Sequence, residues 1–388
     1  MQENSQNYQI KIVQNIAEFE NLEPEWNMIV KNYGHHVPFL CIDWFKIWLE
    51  HFLKGNKLFI ILIYKEGNLS AIAPFIIKNE KFKGIIKTKR IELIGNVHSP
   101  VRNFIFVEPE KSRVDLLLKI FDFLKSNYTE WDILELDSIP EELDSLNVIK
   151  SAVELIGLKS REYFCFNDWT LEDINFSGDE YMSRKPKNLR KELGKRRRRL
   201  ERNGELRFEI ESDRKSYDYY KKVYYEVRKK SWKHPENDIA FLDDFRRNAF
   251  EKGWLRFASL FFNSSPISCH LRLDYKNEVY FLESVYDKEY GEYSPTTILR
   301  SELMKHVIDK EKVTIIHTIK GDEDYKKDWT PRRRERRGIT IFNDTLKGQI
   351  LALLMTKVLP LVEKHPILFK GKNRVLGFLK RGSKIKEQ

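Results

Sequence analysis

Apolar and polar positions along the chain follow two periods, one of about two residues and one of about 3.6, and they exchange repeatedly. YQIKIV (8–13) reads as a strand, and the spacing of Leu22, Trp26 and Ile29 as a helix. LFIILIY (58–64) breaks at Lys65, Glu66, Gly67 and Asn68 before LSAIAPFII (69–77), which predicts a hairpin. RIELIG and FIFV follow, then a helix over 114–125, the strand WDILEL and a helix ending near Ile156. This unit closes near residue 175.

The second half opens on SRKPKNLRKELGKRRRRLERNG (183–204), a helix with Pro186 in its first turn and Gly204 as its stop. At about 100° per residue Leu189, Leu193 and Leu200 form one stripe, and Arg196 falls on it. LRFEI, helices over 217–232 and 241–252, and a second hairpin follow, WLRFASLFF turning at Asn263–Pro266 into ISCHLRLD. VYFLESVY, the connection DKEYGEYSPT, the helix TTILRSELMKHVI and the strand VTIIHT complete a β-loop-α-β unit. The two hairpins lie about 200 residues apart, which suggests two copies of one domain. The expected architecture is α/β (α+β): a domain over 1–175, a second over 176–345, and a basic amphipathic helical tail over 346–388.

The 388 residues carry 69 Lys and Arg against 58 Asp and Glu, a net charge of +11. Residues 184–202 contribute +9, 332–337 contribute +4 and 346–388 contribute +8, which leaves −10 for the rest. The cations therefore sit on one helix, on a segment read as a loop, and on one tail. Local charge of this kind suits phosphate-bearing partners. No helix-turn-helix, RRM or zinc-finger pattern accompanies KRRRR (195–199), so DNA is not an expected partner. Cys41, Cys165 and Cys269 are far apart, which supports neither a disulfide framework nor a cysteine zinc site. Neither a secretory leader nor an apolar run of roughly 20 residues is evident, so a cytoplasmic protein is expected. The tail mixes apolar pairs with Lys and Arg, which suits the surface of an anionic membrane; packing onto the second domain or a dimer contact explains its apolar arc equally well.

Several motifs occur in a fixed order: L-R-x-x-x-x-x-R-R-R in the basic helix, R-x-x-S-W (Arg228, Ser231, Trp232), GWLRFASLFFNSSPIS, YDKEYGEYSPTTIL, and finally G-x-x-x-Y-K-x-x-W with Tyr325, Lys326 and Trp329. In this order the chain resembles the FemAB/CelD-like branch of the GNAT acyltransferase superfamily over roughly residues 20–345. The resemblance implies tandem GNAT-like domains and transfer of an acyl or aminoacyl group from a thioester or ester to an amine or hydroxyl. Acyl-CoA is the implied donor, most simply acetyl-CoA, with a sugar or other envelope or exopolysaccharide precursor as acceptor and no metal. The resemblance places the catalytic site in the second domain; aminoacyl-tRNA remains an alternative donor, and a non-catalytic membrane-surface or RNA-binding protein that kept the fold is another reading. The glycine-rich pyrophosphate loop of GNAT enzymes is replaced here by Gly291, Glu292, Tyr293, Ser294, Pro295, Thr296 and Thr297, with no G-x-G.

A loop entering a helix presents free N–H groups and the positive end of the macrodipole, so Tyr293, Ser294, Thr296 and Thr297 are the candidate donor-binding residues; an ordinary helix cap reads the same way. Glu283 lies inside an apolar strand where an unpaired carboxylate is costly, which suggests a general base. Tyr286 and Asp287 at the end of that strand are candidates for protonating the thiolate and for positioning. His270, on the neighbouring strand, could take the amine proton or be an ordinary core residue; His317 is a weaker candidate. The resemblance makes Lys326 a site residue and implies substrate contacts for Arg228, Trp232, Tyr325 and Trp329. Arg196, if buried, needs an anion, either an internal carboxylate or a substrate phosphate.

Overall fold

The computed structural model describes residues 8–32, 37–82, 86–107, 110–210 and 215–360. The chain forms two compact units, one from residues up to Cys165 together with those from Glu335 onward, the other from Phe166 to Arg334.

In the first unit β1 (Tyr8–Val13) leads through the helices α1 (Ile16–Glu20), α2 (Glu23–Asn32) and α3 (Ile42–Phe52) to the hairpin β2 (Lys57–Lys65) and β3 (Asn68–Phe82), then β4 (Ile86–Leu93). Gly67 takes φ +80° in the hairpin turn, a conformation open to glycine without strain. The short strand β5 (Ile105–Phe106), α4 (Glu110–Ser126), β6 (Ile133–Pro140) and α5 (Ser145–Leu155) follow. β7 (Lys159–Leu171) carries the chain into the second unit, and β13 (Arg332–Phe342) brings it back to α12 (Leu346–Leu353). The strand order is β1-β2-β3-β4-β6-β13, antiparallel except for the parallel pair β4/β6. Phe59, Ile61 and Phe75 on the sheet pack with Ile120 and Phe121 of α4 and Ile149 of α5, all nearly inaccessible to solvent.

The second unit adds the helices α6 (Gly178–Ser183) and α7 (Lys187–Glu201), the strand β8 (Leu206–Glu209), the helices α8 (Tyr217–Lys230) and α9 (Ile239–Glu251), the hairpin β9 (Leu255–Phe262) and β10 (Ser265–Tyr275), and β11 (Glu278–Tyr286). A 3-10 turn over Lys288–Tyr293 enters α10 (Pro295–Asp309), followed by β12 (Ile315–His317) and α11 (Tyr325–Trp329). The order β8-β9-β10-β11-β12-β7 is antiparallel except for the parallel pair β11/β12. Each unit thus builds a four-strand antiparallel run, a helix-linked parallel strand and a closing antiparallel strand, which is the repeat that the two hairpins suggested. In both units helices flank a mixed sheet. Ala258, Leu260, Val279 and Phe281 pack against Ile298, Leu299, Leu303 and Val307 of α10.

Two sequence expectations are corrected. The basic stretch 332–337 is not a loop but the start of β13. Four of its five arginines meet carboxylates: Arg332 and Arg334 meet Glu172 at 2.5 and 2.6 Å, Arg336 meets Glu142 at 2.5 Å and Arg337 meets Glu162 at 2.5 Å, while Arg333 donates to the Asn167 side-chain oxygen at 2.7 Å. The long strand β7, KSREYFCFNDWTL, had no place in the sequence reading. Most of the basic tail lies outside the described residues; the part within them is helical from Leu346 to Val358.

Candidate active site

In the second unit β11 and β12 pair over only three residues, Glu278–Tyr280 against Ile315–His317, and β11 then runs on to Tyr286. Beyond His317 the chain turns away, the Thr318 amide donating to the carbonyl of Trp169 on β7 at 2.9 Å. α10 and α11 pack beside this divergence, with Phe281, Ile298 and Trp329 in one cluster.

α10 begins at Ser294, whose φ of +50° is left-handed and whose side chain caps no backbone N–H. The Thr297 and Ile298 amides fold back to the Ser294 carbonyl at 2.9 and 3.2 Å, and Pro295 has no N–H. Arg196 reaches this helix start and donates to the Ser294 hydroxyl. The guanidinium is not buried as its place on the stripe implied; it is about two-fifths exposed and 3.6 Å from Glu192. Leu189, Leu193, Arg196, Tyr293, Ser294 and Thr297 line a cavity of about 340 Å³ whose wall also includes Glu192 and Asp328. Arg199 lies over the Tyr293 ring at 5.1 Å and pairs with Glu292 at 2.9 Å.

α11 holds Tyr325, Lys326 and Trp329. The Lys326 ammonium is buried, and its three N–H donors reach the Ile319 carbonyl (3.1 Å), the Lys320 carbonyl (2.9 Å) and the Glu323 carboxylate (2.9 Å). It clamps the turn around Gly321, whose φ of +130° favours glycine. Trp329 is buried and Tyr325 half-exposed. Lys185, just before α7, is also buried and donates to the Asp328 carbonyl at 2.7 Å, its ammonium 3.7 Å from the Tyr181 ring centre. Burial pushes it down to about 8.

Residues 187–327 match the family model described as "Acetyltransferase (GNAT) domain". Over this stretch the chain is similar to a GNAT acetyltransferase domain. A solved structure of FemX, 12% identical, superposes over 89% of this chain and 99% of its own with a TM-score of 0.58. A conserved protein of unknown function from Bacteroides thetaiotaomicron, 8% identical, covers 86% of this chain and all of its own length at 0.50. At these identities the likeness is one of fold. No curated protein matches the chain.

Within residues 187–327 the strand candidates divide between two faces of one sheet. His270 pairs across the ladder with Ser284, and Glu283 with Leu271, so His270 and Glu283 project from opposite faces. A β-bulge leaves Leu282 unmatched, with Arg272 opposite Phe281 and Leu271 opposite Glu283, which turns Glu283 away from the Phe281 side. His270 faces α10 and donates from Nε2 to the Thr296 carbonyl at 3.2 Å. It is fully buried, and desolvation with Arg300 nearby drives its pKa down to about 3. Of the two readings of His270, the ordinary core residue is the one this environment fits: a neutral imidazole that holds the first turn of α10.

Glu283 faces α8 and is not the unpaired carboxylate that its apolar strand suggested. It pairs with Arg228, lies 3.2 Å from Lys233 and 3.7 Å from Arg246, and lies 2.7 Å from the Tyr224 hydroxyl. Glu236 joins the cluster through a two-pronged contact to Arg246 (2.5 and 3.1 Å), and despite its burial Arg246 and the Tyr224 and Tyr225 hydroxyls hold it down at about 2. Arg228 thus has a protein partner, and Trp232 stands 66% exposed beyond the end of α8. Asp287 caps the turn after β11 through the Glu289 amide at 3.1 Å and sits 3.5 Å from Lys230. Tyr286, paired with Ser268, shares the His270 face. Tyr224, Glu236, Arg246 and Lys185 were not anticipated, because nothing in their local spacing separates a buried ion from a solvated one.

Proposed function

We propose that the 166–334 unit is the catalytic one and transfers an acyl group, acetyl in the simplest case, from coenzyme A to an amine of a sugar or envelope precursor. The observation that carries this is the cavity at the start of α10, where the cationic Arg196, the hydroxyls of Ser294 and Thr297 and the positive end of a 15-residue helix converge. Those groups fit a pyrophosphate, and the Leu189 and Leu193 wall fits the hydrocarbon parts of the pantetheine arm. The acceptor nitrogen attacks the thioester carbonyl carbon, the C–S bond breaks, the nitrogen gives up a proton and the thiolate gains one. Tyr286 is proposed as the proton donor, with Asp287 ordering the loop behind it. Lys326 holds the turn that places Tyr325, and Glu283 holds Arg228, so both are proposed as positioning residues. A glycan hydroxyl would serve as acceptor by the same steps.

Titration calorimetry with acetyl-CoA and free coenzyme A tests the donor. Arg196→Ala should weaken both by about tenfold, the worth of one charge-assisted contact, with the melting temperature unchanged. A second reading, an aminoacyl-tRNA donor, draws on the exposed cations of α7, Lys187, Arg190, Lys191, Lys195 and Arg198, and on Arg202 just beyond its end. Salt-sensitive tRNA binding with no response to any coenzyme A compound would favour it. For location, Leu346, Ile350 and Leu353 form an exposed stripe on α12 that suits peripheral contact with an anionic membrane, and pelleting with anionic liposomes tests this. Among the described residues no helix is long and apolar enough to cross a membrane.

A further inference from the structure

Arg300 stands out among the cations of the second unit. It lies in the second turn of α10 and is only 6% exposed. Its Nε is buried with no hydrogen-bond partner, and its terminal nitrogens make neither a hydrogen bond nor an ion pair with any described residue. Its surroundings are aromatic: the guanidinium carbon lies 4.9 Å from the Tyr325 ring centre, 5.8 Å from Trp329 and 5.8 Å from Phe281. Rings stabilise a cation, but by less than a desolvated guanidinium loses without an anion. Other buried arginines of this unit have carboxylates, Arg246 with Glu236 and Arg272 with Glu311. Arg300 does not, although Asp328 and Glu192 stand on the wall of the neighbouring cavity.

We propose that Arg300 is the receptor for a single carboxylate borne by a substrate, and so a specificity-determining residue of the site described above; the proposal rests on the acyl-transfer reading of that site. The guanidinium fork matches a planar carboxylate through two parallel N–H···O bonds. A doubly charged phosphate needs further free donors, and the neighbouring buried cations are spent: Lys326 on Ile319, Lys320 and Glu323, Lys185 on the Asp328 and Trp329 carbonyls. Access is at hand. Thr297, one turn before Arg300 on the same face of α10, lines the cavity mouth, and the half-exposed Tyr325 ring covers the guanidinium. A carboxylate that enters beneath Tyr325 supplies the missing counter-charge where β11 and β12 diverge. It belongs either to the acyl group, as in a dicarboxylic monothioester, or to the acceptor, as in an α-amino acid.

Two matched pairs of probes separate these sources on the full-length chain: succinyl-CoA against butyryl-CoA, and glycine against glycinamide. The carboxylate member of one pair should bind about tenfold or more tightly than its neutral partner. Arg300→Met should erase that preference while leaving the neutral member's affinity, and Arg300→Lys, which keeps the charge without the fork, should retain a smaller preference. A preference in the thioester pair assigns the carboxylate to the donor, one in the amine pair to the acceptor. Equal binding within both pairs, or a preference that survives Arg300→Met, overturns the proposal. If no coenzyme A compound binds at all, the donor assignment fails while the amine pair still decides on Arg300. The melting temperature gives an independent readout: Arg300→Met should be at least as stable as the parent, because it removes an unpaired buried charge. A marked loss of stability would mean that the guanidinium serves the fold, and would refute the assignment.

Discussion

His317 ends β12 between two carboxylates, with Nδ1 3.0 Å from Asp168 and Nε2 2.9 Å from Glu278, and its ring stacks on Tyr280 at 4.3 Å. Both ring nitrogens can donate only in the imidazolium form. Burial favours the neutral ring, but the two carboxylates prevail and lift the group from 6.5 to about 9. A rise of that size corresponds to about 3 kcal/mol of folding stability. The folded-state value lies above the unfolded one, so this contribution is complete below pH 6.5 and fades as pH rises through 9. Lys185 works in the opposite sense: burial lowers it to about 8, so its cost to the fold eases as pH climbs beyond that value. Comparison with His317→Gln removes the Lys185 contribution, which both proteins share. Urea unfolding at half-unit steps from pH 6 to pH 10 should show parent and variant about 3 kcal/mol closer in stability at the alkaline end than at the acid end. A difference that stays flat across that range would refute the buried imidazolium.

Further outcomes follow from the site. Glu283→Gln leaves Arg228, Lys233 and Arg246 short of one anion, so it should cost about 2–4 kcal/mol in chemical denaturation as well as lowering turnover; parental stability would mean that the cluster does not exist. Gly321→Ala puts a methyl group into the space of Glu323 and Lys326 at a backbone angle that disfavours it, and should lower stability by about 1–3 kcal/mol with a matching drop in activity. Lys326→Met strips the Ile319 and Lys320 carbonyls of their donor and should cost about 1–3 kcal/mol; turnover that falls with no change in melting temperature would instead place the ammonium on substrate.

Much of the fold was legible because its local signals agree. The hairpins β2/β3 and β9/β10 carry apolar runs on both sides of short polar turns, and α10 opens at Ser294-Pro295 as an N-terminal proline predicts. The misreadings have physical causes. RRRERR looked like a solvated run, yet in β13 four of its five arginines meet carboxylates brought from Glu142, Glu162 and Glu172, far away in sequence. The site was legible as a motif but not as a geometry. Glu283 and Phe281 are two residues apart and should share a face; the single unmatched Leu282 separates them, and no spacing reveals a bulge. Arg300 escaped notice for a related reason. An arginine in a helix is normally assigned to its wet side, but Leu299, Ser301 and Leu303 show that this stretch of α10 is buried nearly all round.

The route of the chain through its two units also orders events in time. Ile339 and Ile341 complete the core of the first unit on β13, opposite Leu136 and Leu134 of β6. They leave the ribosome only after all of residues 166–334 has been made, a wait of about 10–30 s at roughly 5–20 residues per second. For that interval the edge of β6 has no β13 beside it, whereas every strand of the second unit has been made by the time synthesis reaches Arg334. The nascent protein can therefore finish the 166–334 unit before the unit that was started first.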